Sequence, residues 1–113
     1  MSLRRAAKRD ANEDRIVSVY ETAGAFVQKL SETGVPDLLV SFLDELHLIE
    51  CKVDNADLTP AQKRWHKAWR GKKPEIVRNE AQAAKTIRTW LQQFAERQRH
   101  APNLEDDMAK ADG

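Results

Sequence analysis

Gly34-Val35-Pro36-Asp37-Leu38-Leu39-Val40, followed after a short interval by Leu48-Ile49-Glu50-Cys51-Lys52, is the stretch that decides the fold. Leu38-Leu39-Val40-Ser41-Phe42 and Leu46-His47-Leu48-Ile49 are apolar runs of strand length. Each carries charge at one end: Asp37 before the first, Glu50 and Lys52 after the second. Charges in strand-like segments are costly unless paired, hydrated or bound to an ion. Strand alternation puts Glu50 and Lys52 on one face and Cys51 on the other, and hairpin pairing brings Asp37 beside Glu50. Two carboxylates and a lysine converging at strand ends suit one chemistry well. The acids hold a hard divalent cation, and the ammonium steadies an attacking water or a developing phosphorane charge. That is phosphodiester hydrolysis. A bare Glu-x-Lys is common on exposed strands; the apolar strand, the Gly-Val-Pro-Asp lead-in and the basic helix that follows give it weight here.

Outward from this hairpin, Ile16, Val17, Tyr20 and Ala23 recur at helical spacing and predict a helix over 10–23, with Gly24 as its stop. Residues 25–30 predict a first strand, residues 37–42 a second and residues 46–53 a third, with Asp44-Glu45 as the turn between the last two. Thr59, Pro60 and Gln62 form a helix start with two independent signals, a proline in the first turn and a capping-box pair. That helix is expected to run to Arg70 and end at Gly71. Residues 75–78 predict a fourth strand. Asn79 with Gln82 caps a long last helix whose apolar stripe is Ala83, Ile87, Trp90, Leu91 and Phe94. The order α-β-β-β-α-β-α predicts an α/β fold, a small mixed sheet flanked by helices. Strands one to three form an antiparallel meander, and strand four, after a crossover helix, runs parallel to one of them.

A chain of 113 residues makes one domain with one core. Three segments are expected: a basic N-terminal arm over 1–9, a nuclease-type domain over 10–99 and a flexible acidic tail over 100–113. Net charge is +1, but it is segregated: +4 over residues 1–9, −8 over 10–59, +8 over 60–99 and −3 over 100–113. Basic flanks around an acidic block would grip a polyanion while cations collect among the acids; solvated helix faces explain the same runs equally well. The single cysteine forms no intrachain disulfide, and no leader or membrane span is read, so a cytoplasmic protein without membrane partner is expected. Cys51 reads as a small buried hydrophobe rather than a nucleophile. His47, His66 and His100 lack zinc-like spacing, and no glycine-rich nucleotide loop is present.

Three segments in one consistent order carry a resemblance: Gly34 to Val40, Leu48 to Lys52, and Leu58-Thr59-Pro60-Ala61-Gln62 with Trp65. Together they resemble the VRR-NUC (virus-type replication-repair nuclease) family of the PD-(D/E)XK nuclease superfamily, over about residues 10–90. The resemblance implies a restriction-endonuclease-like core and a Mg²⁺- or Mn²⁺-dependent phosphodiesterase. Stand-alone members resemble phage-type enzymes that act on branched DNA such as four-way junctions, often as homodimers, which places the protein in a bacterial or phage-infected host cytosol. Carried over residue by residue, Asp37 and Glu50 would ligate the metal with the backbone carbonyl of Cys51, and Lys52 would orient the water. Gln62 is the family's helix glutamine, near the metal or the substrate phosphate.

The first-helix acid of the superfamily maps onto Glu13, which is in line with Ile16, Val17 and Tyr20; complementing the helix dipole accounts for it equally well. Gln62 also completes a capping box, and one residue can do both. Trp65 and Trp69 are expected in the core rather than as base-stacking platforms. Lys63, Arg64, Lys67, Arg70, Lys72 and Lys73 are the candidate phosphate contacts on branched or duplex DNA. Besides the structure-selective endonuclease, three readings stay open: a nuclease subunit without junction specificity, a DNA-binding module of this fold without catalysis, and a purely structural interaction domain.

Overall fold

The computed structural model describes residues 3–100, with side chains described from Arg9 onward. The elements run α1 (Leu3–Thr22), β1 (Phe26–Lys29), β2 (Leu38–Phe42), β3 (Glu45–Cys51), α2 (Pro60–Ala68), β4 (Glu75–Val77) and α3 (Glu80–His100). This is the predicted order. The four strands form one sheet in the order β1-β2-β3-β4. The first three pair antiparallel, and β4, reached through α2, pairs parallel to β3. The acidic tail beyond His100 lies outside the described residues.

Alternation along β2 sorts the sheet faces. Leu38, Val40 and Phe42 are buried, while Leu39 and Ser41 are half-buried. The register Leu38↔Ile49 and Val40↔His47 carries that inner face onto β3. The helices α1 and α3 close over it with Ile16, Tyr20, Ala83, Ile87 and Trp90. Tyr20 ties the two helices: its ring stacks on Trp90 at 5.6 Å and its hydroxyl meets Thr86 Oγ1 at 2.9 Å. His47 stacks on the same indole at 3.6 Å.

Several boundaries differ from those predicted. The helix α1 starts at Leu3, seven residues ahead of the predicted start, and is one continuous helix from there. Its end is as read: Gly24, at φ 95°, donates to Glu21 O, and Ala25 donates to Tyr20 O, which closes the last turn with a left-handed glycine. The β2–β3 turn is Leu43-Asp44, at φ 52° and 63°, not Asp44-Glu45. Glu45 instead opens β3 opposite Phe42. A two-residue hairpin needs left-handed backbone at both central positions, and Leu43 accepts that strain while packing against the core.

The helix α2 stops at Ala68, and Trp69 is already extended; Gly71 does not end the helix but makes room, since a Cβ there would lie 2.7 Å from the Trp69 ring. No residue of α2 is buried, so Trp65 and Trp69 are not core residues. They stack on each other at 4.9 Å, with Trp69 41% exposed. The cause is topological: α1 and α3 already cover the apolar face, and α2 sits on the other one. In α3 the buried stripe is Ala83, Ile87 and Trp90; Leu91 is exposed and Phe94 half-buried. Among the described residues no helix is long and apolar enough to cross a membrane.

Candidate active site

The antiparallel register that pairs Leu38 with Ile49 puts Asp37, one residue before β2, level with Glu50 near the end of β3. Asp37 is fixed at both ends. Its main-chain carbonyl accepts from Leu30 N at 2.8 Å, and its side-chain Oδ2 accepts from Cys51 N at 2.7 Å. The approach to Asp37 is shaped by Gly34, at φ 85°, where a Cβ would come within 3.0 Å of the Ala61 carbonyl oxygen of α2. Only glycine allows the loop to lie this close to the helix in that conformation.

Glu50 projects from the outer face of β3 yet is completely buried, because α2 covers it. Gln62 Nε2 donates to Glu50 Oε1 at 3.0 Å, and His66 Nε2 lies 3.0 Å from Oε2. Burial, followed by the adjacent Asp37, pushes the Glu50 carboxyl up to about 8. Burial, and then the nearby Lys73 and Lys52, pushes His66 down. Each shift favours a neutral partner, so their contact near neutral pH is a hydrogen bond rather than an ion pair.

Lys52 follows directly on β3, half-buried, with its N–H donated to Val77 O at 3.1 Å. Its carbonyl accepts from the side chain of Asn12, a buried α1 residue, at 3.3 Å. Glu13, one position along, is half-buried; burial and then Asp37 raise its carboxyl. The Cys51 side chain is buried on the inner face, and burial holds its thiol well above the ordinary range, in keeping with a packing role for the sulfur.

Glu13, Asp37, Cys51, Lys52 and Gln62 border a cleft of about 600 Å³ between the middle of α1, the 30–37 loop, the end of β3 and the start of α2, whereas the sealed Glu50 and its partner His66 do not line it. Asp10, Glu13, Glu32, Asp37 and Asp57 line it against two basic residues, Arg9 and Lys52. Asp37 and Glu50 with a main-chain carbonyl would offer only oxygen donors, the kind that suits a hard divalent cation. Burial first, and then the neighbouring Asp37, penalise the charged form of Glu50, and such an ion would relieve that penalty. Among the described residues no three His, Cys, Asp or Glu side chains form a ready-made ion cage.

The six basic candidates do not form one surface facing the cleft, and none of them lines it. Lys63 pairs with Asp57 at 3.0 Å. Arg70 turns back onto the carbonyls of Lys67 and Ala68. Lys72 reaches His47 Nδ1 at 3.2 Å and Glu45 at 3.5 Å. Arg64, Lys67 and Lys73 are exposed. Three residues at or beside the site escaped the sequence reading: Asn12, Arg9 and His66. His66 carried a signal, since it lies four positions after Gln62 on the same helix face.

A four-stranded mixed sheet with Asp37, Glu50 and Lys52 gathered at the ends of β2 and β3 defines the class, a nuclease domain of PD-(D/E)XK type. No protein-family model and no curated protein matches the chain. A solved structure described as a VRR_NUC domain is 30% identical, with a TM-score of 0.63, over 72% of this chain and 95% of that one. The chain belongs to the VRR-NUC family.

Proposed function

We propose that this domain is a Mg²⁺- or Mn²⁺-dependent DNA endonuclease that selects branched substrates such as four-way junctions and works in the cytosol as a homodimer. The observation that carries the catalytic part is that Asp37 and Lys52 line the cleft while Glu50 sits level with Asp37 across the β2–β3 pair, sealed under α2. A cleft lined mainly by acids repels a phosphodiester, so a polyanion enters it only when cations offset those charges. Asp37, Glu50 and the Cys51 carbonyl would hold the ion, with Glu13 at the margin of the set. A bound divalent cation would neutralise phosphate charge and favour an ionised attacking water.

The chain's own residues do the rest. Asp37 is locked by Cys51 N, so it offers its remaining oxygen without conformational search. The Lys52 ammonium orients the water and offsets the charge that develops on the phosphate oxygens. Gln62 fixes Glu50 from the helix side. Arg9 at the cleft, with the exposed Arg64, Lys67 and Lys73, supplies phosphate contacts. Branch selectivity and the homodimer rest on the family resemblance; a C₂ dimer would present two clefts to the two-fold character of a junction.

One observation favours a second reading, a DNA-binding module without catalysis: Glu50 is sealed, with both oxygens engaged. Labelled four-way junction, flap, single-stranded and duplex DNAs, incubated with Mg²⁺ or Mn²⁺, separate the two. Cleavage of branched DNA that disappears in Asp37→Ala and in excess EDTA supports the endonuclease. Binding without cleavage under every condition establishes the second reading.

A further inference from the structure

Glu50 is held from α2 by two side chains, and only one of them has another task. Gln62 belongs to the capping box that starts the helix: its Oε1 accepts from Thr59 N at 2.8 Å, and its own N–H reaches Thr59 Oγ1 at 3.2 Å. His66 has no capping task. Its ring sits edge-on to Trp65, with centroids 6.0 Å apart, and its Nε2 is directed at Glu50 Oε2 at 3.0 Å. The side chain is 14% exposed against a Glu50 that is sealed, so water competes little for this bond.

We infer that His66 is a positioning residue for the divalent-cation site: it clamps the second oxygen of Glu50 so that the carboxylate meets the ion in one fixed orientation. This rests on reading Asp37 and Glu50 as the cation ligands. A ligating carboxylate uses one lone pair on the ion, and its other lone pairs need donors to fix the group and keep it satisfied away from water. The Nε2–H tautomer of His66 supplies such a donor at Oε2, as Gln62 does at Oε1. Because Gln62 and His66 are one helical turn apart, α2 holds both oxygens as a rigid pair. Removing His66 leaves Oε2 a buried acceptor without its partner and lets the carboxyl turn about its last torsion. Loss of a partner of this kind costs about 10–100-fold in metal affinity.

The test uses the full chain and three variants. His66→Ala removes ring and donor, His66→Phe keeps a ring without a donor, and His66→Gln restores an amide N–H at the same reach. Mn²⁺ binding is followed by calorimetric titration and by the Mn²⁺-dependent rise in thermal unfolding temperature, neither of which requires turnover. Cleavage rates against Mn²⁺ concentration, and DNA affinity without cation, complete the set. The expected result is a Mn²⁺ midpoint raised about 10–100-fold in His66→Ala and His66→Phe. His66→Gln should return to within a few-fold of wild type, and DNA affinity should not change. If His66→Ala fails to fold, the contrast between Phe and Gln decides. Normal Mn²⁺ binding in His66→Phe would overturn the inference, because ring packing alone would then suffice. If the wild-type chain binds no divalent cation, the cation-site reading itself fails and the clamp fails with it. A wild type that binds Mn²⁺ beside variants that bind it equally well sinks only the clamp.

Discussion

Gln62 joins the start of α2 to Glu50: one amide accepts from Thr59 N at 2.8 Å and donates to Glu50 Oε1 at 3.0 Å. The local signal that begins a helix thus also fixes the angle at which that helix meets the sheet. Both atoms of the carboxamide are in use: the oxygen holds the helix's own N-cap, and the amide nitrogen makes the bond to the sheet that rotation of the helix would break.

The two tasks separate by mutation. Thr59→Ala removes one capping oxygen and should cost about 1 kcal/mol of stability, read from the urea midpoint, while single-turnover cleavage changes less than a few-fold. Gln62→Ala should cost a similar stability and also lower turnover sharply. Gln62→Glu keeps an acceptor for Thr59 N but sets a carboxylate against Glu50, so it should retain the helix start and lose turnover. Equal turnover in all three would leave Gln62 as a cap and nothing more.

The carboxyl of Glu50 makes stability depend on pH in a definite direction. Its folded value, pushed up to about 8, lies above that of an unfolded glutamate. Its contribution is therefore fully present below the ordinary glutamate range and is lost as pH rises through about 8. Glu50→Gln removes this loss while keeping an acceptor for Gln62. Without divalent cation, the variant should match wild type near pH 5 and unfold at a higher temperature at pH 9, by about 4 °C or more for each kcal/mol relieved. Burial pushes His47 down to about 4, so it draws stability away on the acid side instead, but both proteins carry it and it cancels in the comparison. Millimolar Mg²⁺ should raise the melting temperature of wild type only. A variant less stable than wild type at pH 9 would contradict this penalty on the charged Glu50.

The hairpin, the crossover and the capping box were legible because each depends on residues close in sequence. Alternation from Leu38 to Phe42 and from Leu46 to Ile49 shows which side chains share a face, but the register that sets Asp37 level with Glu50 comes from the Leu43-Asp44 turn, one residue earlier than read. What escaped depends on packing across long separations. Trp65 and Trp69 read as core by helical spacing, but the core was already filled by Trp90 and Tyr20 from other helices. Asn12 meets Lys52 across 40 residues with no local pattern to announce the bond, and His66 meets Glu50 across 16, announced only by its place one turn after Gln62. The early start of α1 was missed because Arg4, Arg5, Lys8 and Arg9 read as a charged arm; such residues are also good helix formers.

Lys52 and Asn12 should be distinguishable as reacting and supporting groups. Lys52→Ala should lower turnover by orders of magnitude with little change in DNA affinity, since its charge acts where negative charge develops. Lys52→Arg should rescue only in part, because a planar fork does not replace a compact ammonium. Asn12→Ala leaves the ammonium but frees the Lys52 carbonyl, so it should cost about 1 kcal/mol of stability and a smaller part of the rate. Rates under single-turnover conditions, with affinities from anisotropy, check this. A Lys52→Ala chain that cleaves normally at saturating DNA would reduce the lysine to a phosphate contact.

The basic segment should divide by what its residues already touch. Lys63 is paired with Asp57, Arg70 is folded onto helix carbonyls, and Lys72 is committed to His47 and Glu45. Arg64, Lys67 and Lys73 are exposed, and in those contacts Lys67 takes part only through its main-chain carbonyl. Neutralising a residue that meets phosphate releases fewer counterions, so the slope of log affinity against log salt should fall by about 0.9 per lost contact on duplex DNA. Arg64→Ala, Lys67→Ala and Lys73→Ala should each weaken binding and flatten that slope. Lys72→Ala should act chiefly on stability, since it removes the partner of the buried His47 ring. Anisotropy titrations between 50 and 300 mM KCl, set beside thermal unfolding of the same variants, decide the assignment. If Lys72→Ala flattens the salt slope while Lys67→Ala leaves it unchanged, DNA runs along the β4 side of α2 and not over its exposed face.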